Sequence, residues 1–174
     1  MRKILIFAFI GAILIIFSLV VINATSDNVT GPGLQTIYRT NNRIIALSEL
    51  AQKRASSYEI KVVATNTAIT TTSNSTQINA YNTKRFGKPI KLKKLSKEQI
   101  AADPTVALSA KENGVDFDEQ YKKSLKQELE ANRNNIQNLF NESKSTSLKK
   151  ILETVYDNNQ RNLDQLNQID STDR

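Results

Sequence analysis

The 174-residue chain carries 24 Lys plus Arg against 17 Asp plus Glu, a formal net charge of +7, and has no His and no Cys. Without Cys there is neither a disulfide framework nor a thiolate nucleophile, and without His there is no imidazole ligand or ordinary general base. Discounting Arg2 and Lys3 leaves +5, too mild a balance for a nucleic-acid-binding surface, so no nucleic-acid partner is expected.

The first element is Ile4 to Ile22, uncharged, with fifteen of its nineteen residues Ile, Leu, Phe or Val. As a helix it would span about 28 Å, close to the hydrocarbon core of a bilayer. Its insertion is favourable by roughly 6 kcal/mol on a biological scale. The run exceeds the apolar core of a cleaved signal peptide, about 7–15 residues, and Ile22-Asn23-Ala24 is a mediocre cleavage site. A retained anchor is therefore expected, and a soluble exported chain beginning at Thr25 is the alternative. Arg2 and Lys3 against Asp27 place the N-terminus in the cytoplasm and the rest on the periplasmic side of the cytoplasmic membrane. The lipid bilayer is thus the first expected partner.

The expected organisation is an anchor or signal over 1–22, a polar linker over 23–33, a helical domain over 34–170 and a tail over 171–174. Leu34, Ile37, Ile44, Leu47 and Ala51 fall at helical spacing. Ser56 with Glu59 reads as a capping box opening a second helix near Ser57 that stops at Gly87. Its middle, Thr65 to Thr76, is crowded with Thr, Ser and Asn of poor helix propensity, but the flanking periodicity favours the helix. Ser96 with Gln99, and Asp103 before Pro104, open two short helices. Asp116 with Glu119 reads as a third capping box, followed by core positions Phe117, Tyr121, Leu125, Leu129, Asn132, Ile136 and Leu139. After a turn over Asn141–Ser147 the last helix presents Leu148, Leu152, Val155, Asn159, Leu163, Leu166 and Ile169. Two helical hairpins joined by one long crossover describe an all-α, ferritin-like four-helix bundle.

Three groups of residues carry a family resemblance: Ala55-Ser56-Ser57-Tyr58-Glu59-Ile60-Lys61, the Gly87-Lys88-Pro89 break, and Gly114-Val115-Asp116-Phe117-Asp118-Glu119-Gln120-Tyr121. With Leu148-Lys149-Lys150-Ile151, they resemble the bacterial domain-of-unknown-function family 4142. The resemblance implies an exported, ferritin-like helical bundle without an assigned activity. Family members commonly carry His at positions that fall here at Thr71, near Leu129 and near Arg161. Chemistry that depends on those imidazoles is not expected.

Ferritin-like bundles hold metal through Glu and Glu-x-x-His facing the axis. That motif cannot be written in this chain, and the core stripes contain no acid, so neither a metal nor another cofactor is expected. Glu153, Asp157 and Asp164 share a helix face, but Lys149 and Arg161 lie four residues away and predict ordinary ion pairs. Glu128 and Glu130 point in different directions and do not form an acid–base pair. No nucleophile has an activating base, and no Gly-rich phosphate loop is present. An enzyme is not expected.

Lys84, Arg85, Lys88, Lys91, Lys93, Lys94 and Lys97 fall within fourteen residues that contain no acid. Interleaved Ile90, Leu92 and Leu95 predict a loop that packs on the bundle with its lysine heads in water. These seven are the candidate contact with an anionic envelope surface, where each is worth about 1 kcal/mol. Asn132 and Asn159 fall on core stripes and are expected to bond across the bundle and fix its register. The composite expectation is a non-enzymatic, membrane-tethered bundle with a structural or interaction role, contacting an anionic surface or a protein partner. The alternatives are a ligand-binding or sensor-like bundle and a degenerate ferritin-like metal protein.

Overall fold

A computed structural model describes residues 30–111 and 113–172. Ile4–Ile22 lies outside the described residues, as does most of the linker expected over Asn23–Gly33. No helix among the described residues is long and apolar enough to cross a membrane.

The described elements are all helical. Helix α1 covers residues 30–54; α2 is Tyr58–Phe86, α3 Lys97–Ala101, α4 Pro104–Ser109, α5 Val115–Glu142 and α6 Thr146–Thr172. The last four residues of the expected linker are therefore helical. Gly33 sits against α5 there: a Cβ at this position would come within 2.8 Å of a Leu139 methyl, so that side chain would have to shift. That contact brings the start of α1 close to the end of α5.

Four long helices pack with every neighbour antiparallel. Arg43 meets Glu128 and Asn41 meets Asn132, which pairs α1 with α5. Asn158 meets Asn74 and Tyr81 meets Ser145, which pairs α6 with α2. The short turns 54–58 and 142–146 make the other two pairs. In consequence α2 and α5 run in the same direction and the chain between them travels the length of the bundle, the connectivity of ferritin-like folds.

The Thr-rich middle of α2 is helical, and several of its exposed hydroxyls bond within the helix. Thr65, Thr70, Thr76 and Thr83 donate to the carbonyls four residues earlier, at 2.7 to 3.0 Å. That satisfies the group that otherwise competes with the backbone. The stop at Gly87 is as expected, with φ 71° in the left-handed region that glycine tolerates.

Two caps differ from expectation. The N-cap of α2 is Ser57, whose Oγ accepts from Ile60 N; Ser56 instead donates its N–H and Oγ–H to Asp118. Helix α5 begins at Val115 behind Gly114, with no side-chain cap, so the Asp116–Glu119 box does not form. The caps at Ser96 and Asp103 are as expected.

Among the described residues one acid is buried, against the expectation of an acid-free core. The carboxylate of Asp118, 5% exposed, accepts from Ser56 N at 3.0 Å, Ser56 Oγ at 2.5 Å and Ser57 N at 2.9 Å. It ties the start of α5 to the α1–α2 turn and places a negative charge where the free N–H groups of α2 need one. Charge-assisted bonds of this kind are roughly twice as strong as neutral ones, and removing the acceptor strands buried donors. Asp118→Ala is expected to lower the unfolding free energy by about 3 kcal/mol, measured as a shift of the urea midpoint at unchanged slope.

Candidate functional site

The interior is divided along its length. One apolar cluster contains Ile44, Leu47, Ile60, Val63, Phe117, Tyr121, Leu125, Leu129, Leu163 and Leu166. A second contains Leu34, Ile37, Ile78, Ile136, Leu139, Leu148, Leu152 and Val155. Between them every long helix contributes buried polar side chains: Thr40 and Asn41, Thr67, Thr71, Asn74 and Ser75, Asn132, and Asn159 with Asn162.

This belt is neutral and carries no acid. Asn132 donates to Asn41 Oδ1 and Asn158 to Asn74 Oδ1, both at 2.7 Å. Asn132 therefore bonds across the bundle as expected, whereas the residue that does so on α6 is Asn158. Asn159, fully buried, has neither side-chain atom bonded to protein. Thr67 Oγ1, Thr71 Oγ1 and Ser75 Oγ also lack protein partners. Burial raises the pKa of the nearby Tyr121 hydroxyl, with Ser48 opposing the shift, although no well-formed bond joins the two hydroxyls. Among the described residues no three of His, Cys, Asp and Glu converge. The two cross-helix amide bonds give the belt a means of fixing register between antiparallel helices.

The acids proposed to form ion pairs on α6 do not do so. Lys149 lies over the Phe140 ring at 4.7 Å, Arg161 donates to Asn158, and Asp164 accepts from Gln160. Stacking and amide contacts hold these side chains instead of the expected i,i+4 attractions, which are weak in water.

The basic segment is ordered from within. Asn82 Nδ2 donates to Lys88 O and Ile90 N donates to Asn79 Oδ1, both at 2.8 Å, so α2 holds the turn that follows it. Ile90 packs on the second apolar cluster, and all seven basic side chains are exposed. Lys84 and Arg85 sit in the last turn of α2, where the carbonyl end of the helix favours cations.

From Ile90 the crossover runs beside α1 in the same direction. Lys93, Lys94, Leu95, Gln99 and Ala102 join Arg39 and Arg43 around one hollow of about 380 Å³. Further on, α4 lies against Ala46–Lys53, and the Arg54 guanidinium donates to Ser109 O, Lys111 O and Asn113 Oδ1. Residues 72–97 have seven basic side chains and no acid, whereas residues 98–119 have six acids and only Lys111. Charge is thereby polarised along the bundle, with the basic end beside the start of α1. Lys144, Lys149 and Lys150, in and after the α5–α6 turn, add to the same end. Arg39 and Arg43, fifty residues away in sequence, were not among the residues the sequence singled out.

Arg43 is fixed by Glu128, its Nε at 3.1 Å and a terminal nitrogen at 3.0 Å from the same oxygen. Burial pushes the Glu128 carboxyl above the usual range, and Arg43 opposes the shift. Glu130 is exposed and takes no part.

No family model matches the chain, and no curated protein matches it. Solved structures do. CopM in its Cu(II)-bound form superposes with a TM-score of 0.70 at 14% identity, over 83% of this chain and 97% of that chain. CopM in the apo form gives 0.66 at 15% identity, over 82% and 96%. A DUF305 fragment from Deinococcus radiodurans gives 0.62 at 9% identity, over 80% and 93%. At these identities the likeness is one of fold. Of the expected family, what stands is the all-helical bundle.

The belt makes two opposite mutational outcomes. Thr71→Val removes a buried hydroxyl without a protein partner and is expected to raise stability by about 1 kcal/mol. Asn132→Leu strands Asn41 and is expected to lower it by about 2 kcal/mol. Denaturant unfolding of both variants checks the pair.

Proposed function

We propose that this chain is a non-enzymatic, membrane-tethered helical-bundle protein on the periplasmic side of the cytoplasmic membrane, with a structural or interaction role, whose basic end rests on an anionic surface. The observation that carries this reading is the polarised charge. The lysine-rich end of the bundle is the end at which residue 30 lies, and Ile4–Ile22 precedes it by only seven residues, 23–29. Seven residues reach at most about 25 Å. An anchor at Ile4–Ile22 would therefore hold Lys84, Lys88 and Lys144, rather than the acidic end, against headgroups. The resemblance to family 4142 agrees with an exported bundle of this kind.

The fold shared with CopM, a protein solved with copper and with silver, raises a copper-handling reading. Copper sites draw on thiolate, thioether or imidazole ligands. This chain has no Cys, no His and a single Met, Met1, so its residues do not fit that chemistry.

The full-length chain in nanodiscs tests the proposal through lysine acylation rates. Lys84, Lys88 and Lys144 are expected to react several-fold more slowly in anionic than in zwitterionic nanodiscs, with Lys53 and Lys111 unchanged. Equal protection at both ends would sink the surface-contact reading. Recovery from cells of a soluble chain beginning at Thr25 would replace the tether by an exported free bundle.

A further inference from the structure

Four cationic side chains surround the hollow beside α1: Arg39 and Arg43 from the helix, Lys93 and Lys94 from the crossover. Like charges gathered in one concavity repel, and no carboxylate lines it. Glu128 engages Arg43 through Nε and one terminal nitrogen, which leaves the other terminal nitrogen free to donate. Because Glu128 is largely buried, it acts as a positioning residue that holds the guanidinium plane. Arg39, Lys93 and Lys94 make no ion pair with a described residue. Gln99 adds two N–H donors, while its Oε1 is already engaged by Ser96 N at 3.0 Å.

Every polar side-chain group free at this site is thus a donor, and most are charged. The complementary ligand is an acceptor-only group carrying two or more negative charges, with planar edges for two guanidinium forks. We propose that the Arg39–Arg43–Lys93–Lys94 hollow is a binding site for a multiply charged phosphate group, either free or at the head of a lipid. This deepens the anionic-contact reading of the same basic segment but does not require the membrane. Lys84 and Lys88 serve the surface contact and do not line the hollow.

Calorimetric titration of inorganic pyrophosphate into the full-length chain in neutral detergent tests the free ligand. Nanodiscs containing phosphatidic acid, compared with phosphatidylglycerol at equal surface charge, test the headgroup. In at least one arm binding is expected to saturate at one site per chain. It is expected to weaken about tenfold or more in Arg39→Gln/Lys94→Gln and also in Lys93→Gln/Lys94→Gln, each checked for an unchanged melting temperature. Lys84→Gln/Lys88→Gln is expected to retain it. Absence of saturable binding in both arms, or equal weakening in the Lys84/Lys88 variant, overturns the site in favour of a diffuse field. Loss of lysine protection at Lys84 and Lys88 with pyrophosphate binding intact would refute the surface contact alone.

Discussion

Because α2 ends and α5 begins at opposite ends of the bundle, the chain between them has to travel its length, and most of what distinguishes this molecule follows from that path. A short turn at Phe86 would make α2 and the next helix antiparallel neighbours. The crossover from Gly87 to Gly114 instead makes α2 and α5 parallel, and leaves α1 facing α5 and α2 facing α6. The path also occupies one outer face of α1, from the second apolar cluster at Ile90 to the carbonyls held by Arg54. Since its first part is basic and its last part acidic, the connection converts a sequence gradient into a charge gradient in space.

Holding that path requires anchors at both ends, and they combine polar bonds with apolar burial. At the basic end Asn79 and Asn82 bond the backbone after the Gly87 turn. At the acidic end Leu108 is buried in the first apolar cluster, and Asp118 binds the α1–α2 turn. Midway, the belt from Thr40 to Asn162 separates two apolar clusters that could otherwise slide past one another, since hydrophobic contact is non-directional. The bonds Asn41–Asn132 and Asn74–Asn158 each require a single register between antiparallel helices. Such a belt costs stability wherever a buried atom is unpaired, and specificity is what that cost can return.

Much of this was legible in the residues. The stripes Leu34 to Ala51, Phe117 to Leu139 and Leu148 to Leu166 are buried as their periodicity requires, because a 3.6-residue repeat is a local property. The caps were less legible. Ser56, three residues before Glu59, carries the stronger local signal, yet Asp118, sixty-two residues away, takes Ser56 and leaves Ser57 to cap the helix. The same limit hid the hollow. Lys93 and Lys94 stood out as part of a basic run, but Arg39 and Arg43 looked like the polar face of an ordinary helix. Their convergence depends on the direction of the crossover, which no spacing encodes. Asn158 and Asn159 are adjacent in sequence, and about 100° of helical rotation separates the one that bonds α2 from the one that does not.

The placement of the basic end bears on how weak contacts could act together. Individual lysines at a headgroup surface contribute about 1 kcal/mol each, too little for one or two to hold a free domain down. A tether changes the comparison, because a linked domain meets the surface at an effective concentration set by linker length. A short connection between Ile4–Ile22 and residue 30 would favour contact by the end it leads to and disfavour contact by the acidic end. The hollow lies a little further along, with Arg39 about 14 Å from residue 30 along α1. Lys84 and Lys88 do not line the hollow, so a phosphate group held there need not displace them from the first contact. On this proposal field and site are separable properties of one segment: Lys84 and Lys88 would orient the bundle, and Lys93 and Lys94 with the two arginines would select what it holds.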